Sequence, residues 1–233
     1  MRFTKGDEST YSQVLLIDKP AHWTSFDVVN KLRYTISKKL GERIKVGHAG
    51  TLDPLATGLL IICTGKMTKR IDEYSGLDKE YTGTFFIGAT TPTYDAEMEP
   101  DAFFSVGHLT PALLHEACLG LIGKIEQMPP VYSAIKIDGK AAYKQARKGL
   151  DVEMKTRPVE IKEFELTRNE LPEVNFRVLC SKGTYIRSLA YDFGKSLNSG
   201  AYLKKLCRTR IGEFSLTNSL TLDEAIQQIQ EVN

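Results

Sequence analysis

Fourteen residues, Lys45 to Gly58, reading K-V-G-H-A-G-T-L-D-P-L-A-T-G, constrain this chain more than any other stretch. A polar loop with one histidine, His48, and one carboxylate, Asp53, runs straight into the apolar stretch Leu59 to Cys63, which predicts a buried strand over Leu59 to Thr64. An Asp before Pro is biased away from the helical region, and Gly47, Gly50 and Gly58 permit tight backbone turns. Asp53 is therefore expected on a fixed loop. From residue types alone it reads as a turn or cap residue bonding its own backbone, and His48 reads the same way.

The chain has 233 residues, above the usual single-domain mode but within reach of one sizeable domain with an appendage. The start, M-R-F-T-K-G-D-E-S-T, lacks the apolar centre of a signal peptide, and Leu59 to Cys63 is too short to cross a bilayer, so a cytoplasmic protein is expected. Cys63, Cys118, Cys180 and Cys207 are scattered without a C-x-x-C pair, which points away from zinc and from a disulfide framework. Gly65-Lys66-Met67-Thr68 ends like a phosphate-binding loop, but Leu60 stands where its first glycine is required, which excludes nucleotide-triphosphate chemistry of that type. The net charge is only +2, yet it is unevenly spread. Lys136 to Arg157 holds seven basic residues against three acids. Lys204, Lys205, Arg208 and Arg210 form a second group, and Lys38, Lys39, Arg43 and Lys45 a third. Three such patches on a near-neutral chain fit a polyanion footprint.

Periodicity predicts a strand at Gln13 to Ile17, a helix capped by Thr24 or Ser25 with Val28, Val29, Leu32 and Ile36 on its apolar face, and a strand through Tyr81, Gly83, Phe85 and Ile87. A helix opens at Thr110-Pro111 and runs to about Leu121. Val159 to Arg168 and Val174 to Ser181 read as paired strands, Thr184 to Leu197 as a helix, and Thr221 as the cap of a last one. Without a strict β-α-β cadence the class is mixed α+β. Residues 1 to 12 are polar and expected to fray. Gln127 to Arg157, basic and broken by Pro129 and Pro130, reads as an inserted arm.

The string G-H-A-G-T-L-D-P-L-A-T-G resembles the active-site motif of the TruB-type pseudouridine synthases. The resemblance extends from about Val14 to Glu224 through several motifs in order. It implies a mainly antiparallel, bent, mixed sheet around a central catalytic cleft, flanked by helices, with the arm as a thumb that closes over RNA. It also implies one catalytic domain over residues 1–233, with the thumb at about 127–157 and without the C-terminal PUA domain that many members carry. The implied reaction isomerises the T-loop uridine of tRNA, position 55, to pseudouridine. Asp53 matches the nucleophile, whose target on the pyrimidine ring or the ribose stays open, and His48 the residue that fills the space left by the flipped base.

Arg187, in S-K-G-T-Y-I-R, matches the arginine expected to pair with Asp53 through its planar fork. Tyr81, in Lys79-Glu80-Tyr81, matches the tyrosine that stacks on the base and serves in proton transfer, and Tyr185 and Leu206 match the uridine pocket. Lys19, in Asp18-Lys19-Pro20, matches a supporting residue. On the arm, Lys136, Lys140, Lys144 and Arg147 are interleaved with Tyr132 and Tyr143, a pattern suited to RNA. The chemistry calls for no cofactor and no metal. The implied partner is the T-arm of tRNA, with no nucleotide cofactor and no membrane, and the absence of a self-pairing motif favours a monomer. One departure stands out: His22 occupies the place, two residues after Pro20, where the family usually has glycine. A tRNA-folding chaperone, or the same chemistry on a T-loop-like hairpin of another RNA, are the alternative readings.

Overall fold

The run Leu59 to Cys63 is apolar at every position because both of its faces are covered. In the computed structural model, which describes residues 11–137 and 139–231, the strands in chain order are β1 (Val14–Lys19), β2 (Val46–Ala49), β3 (Thr57–Thr64), β4 (Lys79–Ile87), β5 (Ala89–Thr90), β6 (Ala102–Phe103), β7 (Gly123–Gln127), β8 (Lys136–Ile137), β9 (Lys140–Ala141), β10 (Arg157–Glu170), β11 (Glu173–Cys180), β12 (Ala201–Ile211), β13 (Phe214–Ser215) and β14 (Leu220–Thr221). The α-helices are α1 (Ser25–Leu40), α2 (Ile71–Ser75), α3 (Pro111–Leu119), α4 (Ala142–Ala146), α5 (Ile186–Ser196) and α6 (Leu222–Glu231). The class is α+β with mixed, mainly antiparallel pairing. The frayed start expected at residues 1 to 12 lies, for residues 1–10, outside the described residues. Among the described residues no helix is long and apolar enough to cross a membrane.

Contacts group the chain into two compact units, Met1–Tyr81 with Leu206–Asn233, and Thr82–Lys205. In the first, β1 pairs antiparallel with β3 from Val14 opposite Cys63 to Lys19 opposite Gly58, while β12 joins the other edge of β3 in parallel. Leu60 and Ile62 point from β3 into a core with Leu15, Ile17, the Val28, Val29, Leu32 and Ile36 face of α1, and Ala225 and Ile229 of α6. Leu59, Ile61 and Cys63 point the other way, against Tyr74 and Ile211. α1 begins where the sequence expects it, with Thr24 and Asp27 capping each other's backbone N–H.

In the second unit β4, β11, β10 and β7 are successive neighbours. Phe85, Phe164, Phe176 and Phe193 fill its core, with Phe85 stacked on Phe176 at 4.1 Å. The predicted strand pair appears as the long β10–β11 hairpin. The arm is closed at its root: Arg157 of β10 lies opposite Gln127 of β7, so the chain leaves and re-enters the sheet at cross-strand neighbours. Between them lie the β8–β9 hairpin and α4.

Candidate active site

In the first unit, Asp53 heads the turn Pro54–Leu55 and is half-buried, with its carbonyl accepting from the Ala56 N–H at 3.1 Å. The loop around it is held by its backbone. Arg208, 1% exposed, donates to the Gly50 carbonyl at 3.0 Å and the Leu59 carbonyl at 2.8 Å. Ser25, on the first turn of α1, donates to the Leu52 carbonyl at 3.1 Å and accepts from the Leu52 N–H at 2.8 Å. The His22 N–H donates to the Pro54 carbonyl at 2.8 Å, and Asp18 accepts from the Gly58 N–H at 3.1 Å. Gly58 itself has φ +103°, and a Cβ there would lie 2.7 Å from the Arg208 backbone nitrogen, so the parallel join of β3 to β12 requires glycine.

Lys19 is fully buried and donates to the carbonyls of Pro20 at 2.9 Å, Trp23 at 2.6 Å and Pro54 at 3.3 Å. Burial brings its pKa down to about 8, against the pull of nearby Asp53, which favours the cation. Its three bonds are to carbonyls that shape the loop. His48 sits on β2 opposite Ile62, and its pKa is lowered, first by burial and then by the Arg208 guanidinium, which keeps the imidazole neutral at pH 7. Tyr81 is buried on β4, and Leu206 is half-buried with its carbonyl accepting from Thr57 at 3.4 Å. His22 has φ +65°, in the left-handed region. That conformation is why glycine suits the position, and a histidine there costs about 1 kcal/mol or more of backbone strain.

In the second unit Arg187, on the first turn of α5, is 4% exposed and donates to the carbonyls of Thr93 at 3.2 Å and Tyr132 at 3.0 Å. Its Nε lies 3.6 Å from a carboxylate oxygen of Asp95, which is itself buried and accepts from Thr93 at 2.6 Å and from the Glu97 N–H at 3.0 Å. Tyr185 precedes α5, with its backbone held on both sides by the Gln127 amide, N–H to Oε1 at 2.8 Å and carbonyl from Nε2 at 3.1 Å. This delays the helix to Ile186, two residues after its expected start. The Arg157 guanidinium lies over the Tyr185 ring, 4.5 Å from its centre.

On the arm, Lys136, Lys140, Lys144 and Lys148 line one recess of about 350 Å³. Arg147 stands apart from them in an exposed ion pair with Glu97 at 2.8 Å, near the Tyr143 ring. The second basic group is corrected by the structure. Arg208 is an interior clamp, Arg210 pairs with Glu80 at 3.3 Å and Lys204 with Glu173, while Lys205 is exposed, so the four basic residues of β12 do not form one cationic face.

Arg208, Ser25 and Asp95 are the residues that motif reading does not assign to the site. The partners of the first two are backbone groups far away in sequence, which no side-chain pattern reports. Asp95, in Thr93-Tyr94-Asp95, carries one usable signal, an acid in a short polar turn after an apolar strand.

A family model described as TruB family pseudouridylate synthase (N terminal domain) matches residues 37–186. The chain is similar to the tRNA pseudouridine synthase B of Flavobacterium johnsoniae, 55% identical over 226 residues, covering 95% of this chain and 99% of that one. It is also similar to the tRNA pseudouridine synthase B of Phocaeicola vulgatus, 54% identical over 238 residues, covering 100% and 99%. Among solved structures, a chain from a Cbf5-Nop10-Gar1 complex superposes with a TM-score of 0.68 at 28% identity, covering 92% of this chain and 53% of that one. A chain from an H/ACA RNP bound to a substrate RNA containing 2'-deoxyuridine superposes at 0.66 with 26% identity, covering 92% and 52%. This chain thus spans about half the length of those two solved chains.

Proposed function

We propose, since this chain belongs to the TruB family of pseudouridylate synthases, that it isomerises the T-loop uridine of tRNA, position 55, to pseudouridine with Asp53 as the nucleophile. The observation that carries the assignment of Asp53 is the anchoring of its loop. Arg208, Ser25, Lys19 and the His22 N–H hold the backbone on both sides of it, and all four sets of bonds lie within one unit. A nucleophile so fixed loses little entropy on reaching its target.

The reaction balances without a co-reactant. Asp53 bonds to the pyrimidine ring or the ribose as the bond from uracil N1 to the ribose breaks, the detached base turns, the bond from C5 to the same ribose carbon forms, the bond to Asp53 breaks, C5 loses a proton and N1 gains one. Tyr81 stacks on the base and serves the proton transfer, Tyr185 and Leu206 line its pocket, and neutral His48 fills the space that the flipped base leaves in the RNA. Arg187 acts as the cation that pairs with Asp53 through its planar fork. Extruding a stacked uridine costs about a few kcal/mol, which contacts to phosphates along the arm offset. The enzyme works as a monomer in the cytoplasm on the T-arm.

The test is to incubate the protein and its Asp53→Asn variant with unmodified tRNA transcript and to map pseudouridine by carbodiimide-blocked primer extension. A stop in the T-loop with the wild type alone is expected. A stop elsewhere in the transcript would overturn the target, and equal stops with both proteins would remove Asp53 as nucleophile.

A further inference from the structure

A second concave site lies within the Thr82–Lys205 unit, and none of the residues given a role above lines it. Its volume is about 690 Å³, and its walls include Tyr94, Tyr191, Phe104, Asp101, Lys195 and Asn198. Tyr94 and Tyr191 are stacked, with centres 4.4 Å apart and planes 20° from parallel. Two of the wall residues are held in the left-handed region without being glycine, Tyr94 at φ +61° and Asn198 at φ +50°. For a bulky residue such as tyrosine this is a genuine outlier, of the kind that concentrates at ligand sites. Phe104 remains 43% exposed on the rim, an aromatic ring left uncovered beside a tyrosine pair.

The polar groups narrow the ligand. Asp101 accepts from Thr90 at 2.6 Å through one oxygen, and an ionised carboxylate offers only acceptors. It therefore suits a base edge with adjacent N–H donors. Guanine presents two such donors side by side, N1–H and the 2-amino group, whereas cytosine and adenine set a ring-nitrogen acceptor beside their amino group and uracil a single N–H between two carbonyls that would face the carboxylate. Asn198 can donate and accept, and Lys195 supplies a cation for a phosphate. Aromatic faces for stacking, a basic group for the backbone and a few edge-reading side chains are what single-stranded nucleic-acid sites combine.

We propose that this cavity binds one unpaired guanine nucleotide. The inference rests on the reading that the protein acts on RNA, and its preferred occupant is a nucleotide of that same RNA, with a free mononucleotide sharing the chemistry. The wall is also joined to the arginine of the site described above. Tyr94 precedes Asp95, and Tyr191 follows Arg187 by one helical turn, so the stacked tyrosines and the Asp95–Arg187 pair are successive links between the same loop and α5.

The experiment titrates the protein with GMP, CMP and UMP by saturation-transfer NMR. In parallel, filter binding gives the affinity of full-length unmodified tRNA transcript for the wild type and for Tyr191→Ala, Tyr191→Phe, Lys195→Ala and Asp101→Asn. GMP is expected to bind better than CMP and UMP. Tyr191→Ala and Lys195→Ala should each weaken GMP about tenfold, the size of one stacking or phosphate interaction. Tyr191→Phe, which keeps the ring, should bind as the wild type does, and Asp101→Asn should erase the base preference. A matching loss of tRNA affinity assigns the site to the substrate, while a loss for GMP alone assigns it to a free nucleotide. No mononucleotide binding together with wild-type tRNA affinity in every variant would overturn the proposal, as would equal binding of all three nucleotides. Pseudouridine formation by the wild type, scored separately, shows whether the reading beneath it stands.

Discussion

At the scale of single residues, Arg208 does what no neighbour can take over. A lysine in its place reaches one of the two carbonyls it serves, Gly50 or Leu59, and leaves the other buried without a donor. That costs about 1–3 kcal/mol, a fall in melting temperature of roughly 2–4 °C for each kcal/mol in a chain of this size. Arg208→Lys is therefore expected to melt earlier and to lose single-turnover rate with little change in tRNA affinity. Wild-type melting and turnover would show that the loop does not depend on it. Lys19 gives a prediction in pH. Its pKa is about 8 in the folded protein against 10.5 for a solvated lysine, so between those values the unfolded chain binds the proton more strongly and stability rises with pH. Below about 8 both states are protonated and the burial cost is constant. Urea unfolding at a series of pH values should show wild type gaining on Lys19→Met across that window, and a flat difference would refute it. Asp53, His48 and Lys19 stand in motifs, so the sequence puts them forward for the site. Arg208 reads in sequence as part of a phosphate-binding patch, because charge along a chain does not tell a surface cation from one turned onto carbonyls.

Among the elements, the arm tests the charge reading most directly. Its root is fixed by Gln127 opposite Arg157, and Lys140, Lys144 and Lys148 all line the recess and are exposed. Replacing these three with Ala should leave the melting temperature within about 1 °C, since exposed charges contribute little to stability. The slope of log affinity against log salt for tRNA should flatten by roughly 0.7–0.9 for each phosphate that a lysine no longer neutralises. An unchanged slope would mean that the lysines meet no phosphate. The elements that are legible in sequence have two agreeing signals: α1 has its cap and its apolar face, and β10 and β11 alternate on both sides of a turn. β12 has neither. Its Lys204-Lys205-Leu206-Cys207-Arg208 interior mixes charge with apolar residues because its side chains meet acids and carbonyls as well as core.

For the whole molecule, the residues assigned to the reaction come from both units: Lys19, His48, Asp53, Tyr81 and Leu206 from one, Tyr185, Arg187 and the arm from the other. The α+β class and the family are legible from end to end, since the motifs run in order through both. The grouping into two units is not, because β4 and β12 each contribute residues to both and no change of composition marks the crossing. Arg187→Lys asks whether the second unit supplies part of the chemistry. The guanidinium donates to the carbonyls of Thr93 and Tyr132 and lies beside Asp95, a set of partners that needs several donors in one plane. Lysine keeps the charge but concentrates it at one point, so a role confined to long-range attraction for RNA would survive the change. A role in orienting Asp53 through the planar fork would not. The expectation is a loss of single-turnover rate of about a hundredfold with tRNA affinity within about threefold, the pattern of an interaction made in the transition state and not in the ground state. Asp95→Asn, which keeps the shape and removes the charge facing Arg187, should show the same pattern in milder form. If Arg187→Lys turned over at the wild-type rate, the nucleophile would be served by another cation, and Lys19, buried and near Asp53, would be the next to replace.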